Sequence, residues 1–209
     1  SNSTQTTYHG SLEQGLLAVD YGFEYIKRGG FLYSIFHLTG GQWRIINQNA
    51  DGTYTRRPVF EVMALANQRA RDGIVLRSSQ STIRRLELPS GTAYGLPPVG
   101  VHAINRGEEY TVMYFSRDFE NDFIAKLNLP DNIGSISNGR ITTLGGDRFD
   151  AESITLAVDD STIISDGMLV DVPRHSLVMV SFEADDPELE APLLIQDFYT
   201  TTDSAASPV

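Results

Sequence analysis

Apolar side chains recur every three to four residues between Leu12 and Ile26. Leu12, Leu16, Val19, Phe23 and Ile26 fall on one face, which predicts an amphipathic helix. Ser11 followed by Gln14 is a capping-box pair, whose side chains can satisfy free backbone N–H groups of the first turn. Gly29-Gly30 supplies the stop, since glycine accepts the left-handed cap. The next run, Phe31 to Leu38, does not alternate. It is apolar on both faces, as in a parallel strand covered on both sides. Residues 39–57 read as a loop holding Trp43 and an Asp51-Gly52 turn. Pro58 then opens a second helix, where its missing N–H costs nothing. Val59, Val62, Met63, Ala66 and Ala70 mark its inner stripe, and Gly73 ends it.

From residue 74 the pattern turns to strands. The pattern predicts strands over 81–88, 99–105, 109–117, 122–129, 140–144, 153–158, 168–172, 176–183 and 193–199. They are short and separated by Pro, Gly, Asn and Asp, as in an antiparallel sandwich. Arg106-Gly107-Glu108 reads as a hairpin turn. Glu183 to Glu190 is dense in carboxylates, and the last ten residues are small and polar, like a linker or frayed tail. The predicted organisation is a helix–strand–helix unit over 1–77, an antiparallel β-sandwich over 78–185, and an acidic segment and tail over 186–209. The fold class is mainly β with a small α/β part.

A doubly covered parallel strand needs parallel neighbours, each with its own crossover. Residues 1–75 supply one such strand. Either it joins the sandwich, or its neighbours lie upstream of residue 1; complete helix–strand units in α/β domains favour the second. An isolated piece would then expose the inner faces of the strand and of both helices. That surface would need cover from the sandwich or from a second copy of the chain.

Composition narrows the function classes. The chain of 209 residues carries 16 basic and 27 acidic side chains, for a net charge of −11, and 41% of it is hydrophobic. The core fraction argues against disorder, and the acidic balance against nucleic acid or anionic lipid as a partner. No apolar stretch is long enough for a membrane span. The absence of cysteine removes thiol catalysis, disulfides and thiolate metal sites.

The order of elements resembles the end of a clan-A glycoside hydrolase: the last helix–strand–helix of a (β/α)8 barrel followed by a C-terminal β-sandwich, as in the arabinofuranosidase, β-xylosidase, β-glucuronidase and β-agarase groups. Gly30-Phe31 to Leu38 is similar to the eighth barrel strand. Trp43, Asp51-Gly52-Thr53 and Arg57-Pro58-Val59-Phe60-Glu61-Val62-Met63-Ala64-Leu65 resemble the passage into the eighth helix, with Phe60 where a tyrosine is common. Val101-His102-Ala103 with Tyr110-Thr111-Val112-Met113 resembles the paired strands that open the sandwich. Asp171-Val172-Pro173-Arg174-His175-Ser176 ahead of Leu177-Val178-Met179-Val180 resembles its closing segment. The segment from Glu183 to Val209 has no counterpart.

The resemblance implies a polysaccharide-degrading enzyme whose two catalytic carboxylates, about 5 Å apart in retaining members, lie upstream of this chain. It implies no cofactor and no metal, a secreted or periplasmic location, and as partners a poly- or oligosaccharide and the upstream barrel. No residue here is expected to be catalytic. Glu13, Asp20, Glu24 and Glu61 read as solvated helix-face charges. Barrel sites are built at the C-terminal strand ends, which places His37, Thr39, Gln42 and Trp43 at the mouth, with His37, Gln42 and Trp43 as substrate-binding candidates. The indole can stack on a sugar or simply pack the loop, and His37 can equally be a core histidine bonded to backbone.

Other constellations are weak. His9, His37, His102 and His175 have no metal-ligand spacing. Asp147, Asp150 and Glu152 read as a polar turn more readily than as a calcium site. Tyr94, Tyr110 and Tyr114 read as core more readily than as a sugar-stacking platform. The alternative to a hydrolase portion is a stand-alone carbohydrate-binding or adhesion module with helices packed on a sandwich.

Overall fold

A computed structural model describes residues 10–30, 38–39, 44–76, 78–79, 86–87, 93–94, 97–130, 133–148, 150–151, 153–185 and 193–200. Helix α1 (Leu12–Lys27) precedes a small hairpin of β1 (Ile46–Gln48) and β2 (Tyr54–Arg56), and α2 (Pro58–Ala70) follows. Four short strands come next: β3 (Ile74–Leu76), β4 (Ser78–Ser79), β5 (Leu86–Glu87) and β6 (Ala93–Tyr94). The longer strands are β7 (Val99–Arg106), β8 (Glu109–Ser116), β9 (Phe123–Leu127), β10 (Ile136–Gly145), β11 (Thr155–Asp159), β12 (Met168–Val172), β13 (Ser176–Ala184) and β14 (Leu193–Thr200).

Helix α1 starts as its sequence requires. Ser11 Oγ accepts from the Gln14 backbone N–H at 3.3 Å, and the Gln14 side chain accepts in turn from the Gly10 N–H. At the other end Gly29 takes φ 90°. The N–H groups of Gly29 and Gly30 reach the carbonyls of Ile26 and Tyr25, the paired bonds of a Schellman stop. Helix α2 ends at Ala70, and the left-handed residue past it is Asp72 at φ 62°, one position before the predicted Gly73. The apolar run 31–37 lies outside the described residues.

Ten of the strands form two packed sheets. One has the order β11-β10-β13-β8-β7-β3, with every neighbour antiparallel. The other has the order β12-β9-β14-β4, antiparallel except for the short β14–β4 pair. The predicted hairpin is present: Arg106 pairs with Glu109 around Gly107 at φ 67°. The strand expected over 140–144 extends further back, with Asn138-Gly139 forming a bulge inside β10 and Asn138 at φ 52°. That strand therefore begins at Ile136. Of the strand expected over 81–88, the described part is the two-residue β5, paired with β6.

The central strands of the six-stranded sheet, β7, β8 and β13, are buried on both faces. Val99, Val101, Tyr110, Val112, Tyr114, Val178, Val180 and Phe182 point toward the four-stranded sheet and meet Phe123, Ala125, Leu127 and Val170 there. Their neighbours Ile104, Met113, Phe115, Leu177 and Met179 point the other way, onto Leu12, Leu16 and Phe23 of α1 and Val62 and Ala66 of α2. The near-continuous apolar run of β8 is the signature of this double cover. The helices thus do not expose their inner stripes. The sandwich covers them, and Gly15 lets them cross closely, since a Cβ there would lie 3.0 Å from Val59 Cα. Ile26 falls off the stripe and is 41% exposed.

Candidate functional site

The three substrate-binding candidates His37, Gln42 and Trp43 lie outside the described residues. The structure describes what flanks them. Thr39 bridges Ile46 in parallel, and the Ile46 N–H donates to the Leu38 carbonyl at 3.1 Å. Past that bridge, β1 and β2 close on a tight turn. Asp51 Oδ1 accepts from Thr53 N at 2.9 Å and from Thr53 Oγ1 at 2.7 Å. Those two bonds hold the Asp51 carboxyl below the ordinary aspartate range. Asn49 Nδ2 donates to both Thr53 and Thr55 hydroxyls at 2.9 Å. Arg57 anchors the base of the hairpin by donating to the Arg44 carbonyl at 3.1 Å. The result is a braced hairpin that presents amide, hydroxyl and guanidinium groups and the exposed ring of Tyr54. Such a surface can bond sugar hydroxyls and stack on a sugar face.

A second cluster is buried, and it corrects the sequence reading. Glu13 and Asp20 are 2% and 5% exposed, so they are not solvated helix-face charges. They lie with Glu24 and Lys27 along the side of α1 that settles over the ends of β7 and β8. Asp20 Oδ1 is 2.7 Å from His102 Nε2, and Asp20 Oδ2 accepts from Arg117 Nη1. Arg117 Nη2 donates to the Pro97 carbonyl at 2.6 Å. Gly100 makes room: a Cβ there would lie 1.9 Å from Asp20 Oδ1. Phe23 stacks on the His102 ring at a centroid distance of 5.0 Å, and Phe115 meets it edge-on at 5.6 Å. Lys27 Nζ finishes the seam by donating to the Val101 carbonyl and Ser78 Oγ, both at 2.8 Å.

Protonation follows from this packing. Burial alone would raise the Asp20 carboxyl, but the His102 bond and the Arg117 charge outweigh it and hold Asp20 below its usual range. Burial lowers His102 despite the help of Asp20, so the ring is neutral at pH 7. An ionised Asp20 accepts only. His102 therefore donates from Nε2 and keeps a bare Nδ1, which has no hydrogen-bond partner among the described residues. Burial pushes Glu13 up to about 8, against the pull of Arg117. The sequence did carry a signal for this cluster, four charges on one helical face. Nothing local distinguished a docked stripe from a wet one.

A His–Asp pair suggests general-base chemistry, but here both rings and carboxyls are sealed under helix and sheet. A substrate arriving from solvent cannot touch them, so the cluster is a joint. The remaining candidates resolve similarly. Tyr110 and Tyr114 are fully buried, with Tyr110 stacked on Phe182 at 5.6 Å, so neither is a sugar platform. Asp150 holds Arg148 at 2.9 and 3.0 Å. Among the described residues no three His, Asp or Glu side chains are grouped to hold a metal ion. No described helix is long and apolar enough to cross a membrane.

Solved structures share this arrangement of sheets and helices. A family 51 α-L-arabinofuranosidase from Bifidobacterium longum matches with a TM-score of 0.61 at 12% identity, over 83% of this chain and 34% of that one. One from Thermotoga petrophila matches at 0.59 and 12%, over 82% and 38%. A glycoside hydrolase family 30 subfamily 8 xylanase from Clostridium acetobutylicum matches at 0.57 and 12%, over 84% and 40%. The chain has the fold of the β-sandwich portion of such enzymes. It spans less than half the length of each of these structures. No protein-family model matches the sequence, and no curated protein does.

Proposed function

We propose that this chain is the C-terminal portion of a polysaccharide-degrading glycoside hydrolase, with the catalytic carboxylates on a barrel upstream. The sandwich braces the last barrel helices, and the loop 39–57 lines one wall of the substrate cleft, with His37, Gln42 and Trp43 as sugar contacts. The observation that carries the reading is the joint between α1 and the sandwich. Two helices that would belong to a barrel's outer ring are held to the sheet through an apolar core and through the bonds of Asp20 and Lys27. The fold likeness to family 30 and family 51 enzymes agrees with it. A secreted or periplasmic location follows from a polysaccharide substrate.

The test is an assay of two proteins on arabinoxylan, glucuronoxylan and aryl arabinofuranosides. One is residues 1–209, shown folded by circular dichroism; the other is the full product of its gene. The full product is expected to hydrolyse at least one substrate and the isolated chain none. Turnover by the isolated chain overturns the reading.

Burial of both helix stripes by the six-stranded sheet favours a second reading, a self-contained carbohydrate-binding module. It predicts that residues 1–209 alone are retarded in affinity gels containing a polysaccharide, and that the full product has no hydrolase activity.

A further inference from the structure

The seam between α1 and the sandwich buries the carboxyls of Glu13 and Asp20 and the ring of His102. Glu13 is 2% exposed, and its Oε2 has no hydrogen-bond partner among the described residues. Asp20 is 5% exposed, with its two oxygens divided between His102 and Arg117. Besides each other, the charged groups that act on these two carboxyls or on the His102 ring are Glu24 and Lys27 on α1 and Arg117 just past β8. Among the described residues α2, β3 and β13 bring no charge onto Glu13 or Asp20. Asp20 and Arg117 offset one another, so an ionised Glu13 would be a second buried negative charge with one cation already committed.

We infer that the α1 seam is a pH-sensitive latch built on the buried, unpartnered Glu13 carboxyl, closed while that carboxyl keeps its proton and loosened when it loses it.

The window follows from linkage. Undocked, Glu13 titrates at its ordinary 4.5; docked, it holds its proton to about 8. Between those values the undocked state binds fewer protons, so docking weakens as pH rises, and above about 8 it levels. His102 works oppositely. Its docked value lies below the ordinary 6.5, so docking weakens as pH falls beneath that point. Just below 6.5 the two proton balances therefore oppose each other. Above 6.5 Glu13 acts alone, and in stronger acid Asp20, held below its ordinary range, loosens the seam as it takes a proton.

Hydrogen exchange read by mass spectrometry at pH 6.5 and 8.0 tests the latch, after allowance for the pH dependence of intrinsic exchange. The α1 amides of the wild type are expected to open roughly tenfold more at pH 8.0, while amides of β8 and β13 stay level. Glu13→Gln is expected to abolish that rise. A wild-type α1 with no rise, or an equal rise in Glu13→Gln, overturns the inference. Should the variant fail to fold, the carbon-13 titration of the Glu13 carboxyl in the wild type decides. A midpoint near 8 supports the latch, and a midpoint at the ordinary glutamate value overturns it.

Discussion

Asp20 Oδ1 lies 2.7 Å from His102 Nε2, although 82 positions of sequence separate the two residues. The bond ties the first helix to the first long strand of the sandwich. Arg117 adds the second strand, by donating to the other Asp20 oxygen.

The arrangement makes Asp20 expensive to remove. Asp20→Ala leaves the Arg117 guanidinium, 1% exposed, without its counter-charge. Loss of one partner from a buried ion pair costs roughly 3–5 kcal/mol. A urea melt is expected to show a loss of that size. Adding Arg117→Met should restore much of it, since the orphaned charge is then gone. A double variant as unstable as Asp20→Ala would show that the pair is not what holds the joint.

Gly100→Ala attacks the same joint from the strand side. The new methyl would occupy the space of Asp20 Oδ1, against which it would lie at 1.9 Å. The expected cost is about 2 kcal/mol, by displacement of Asp20 from His102. The loss should not add to that of Asp20→Ala, since both break one contact; additive losses in a double-mutant cycle would refute the link.

His102 and then Asp20 should weaken the fold in two stages as pH falls, the first stage running against an opposing gain at Glu13. His102 has a lowered value in the folded chain, so its contribution is complete above about 6.5 and fades as pH falls below that point, where the unfolded ring takes a proton first. Asp20 is also lowered, so its contribution is complete above its ordinary 3.8 with a margin, and fades as pH falls through its folded value. Each group changes stability by at most about 1.4 kcal/mol per pH unit. His102→Gln keeps a donor toward Asp20 and removes the first stage. Denaturant midpoints from pH 7 to 3 for the wild type and His102→Gln should therefore differ in slope below pH 6.5; parallel curves would contradict the assignment.

Asp72→Gly is expected to stabilise. Asp72 is exposed, stands just past the end of α2 and has φ 62°, a conformation that costs a side-chain-bearing residue roughly 1 kcal/mol. Its ion pair with Arg71 is exposed and loose at 3.5 Å. A gain of up to about 1 kcal/mol in a urea melt checks this.

Local patterns carried much of the architecture. The start of α1 at Ser11, its Gly29 stop, the Pro58 start of α2 and the Gly107 hairpin are each set by residues within a few positions of one another, so a linear reading finds them. Most strand positions from β7 to β13 follow, for the same reason, from short β-prone runs separated by Pro, Gly, Asn and Asp. The β10 bulge escaped because Asn138-Gly139 has the same backbone chemistry in a turn and in a bulge; pairing with β13 decides which it is.

The buried joint was out of reach of the linear pattern for a different reason. The spacing of Glu13, Asp20, Glu24 and Lys27 on one face is plain in the sequence, and an amphipathic reading assigns such a face to water. Whether a carboxylate is wet or buried depends on what lies across from it. For Asp20 the answer is His102, Arg117 and the missing Cβ of Gly100, which belong to strands or strand ends far along the chain. The sequence by itself determined where both helices start, where the Gly107 hairpin turns and roughly where most sandwich strands lie, because those rest on short-range sterics and on runs of β-prone residues. The tertiary structure alone decided that both helices seal onto the sheet and that the acidic stripe of α1 becomes a joint, because charge burial depends on contacts that exist only once the chain has folded.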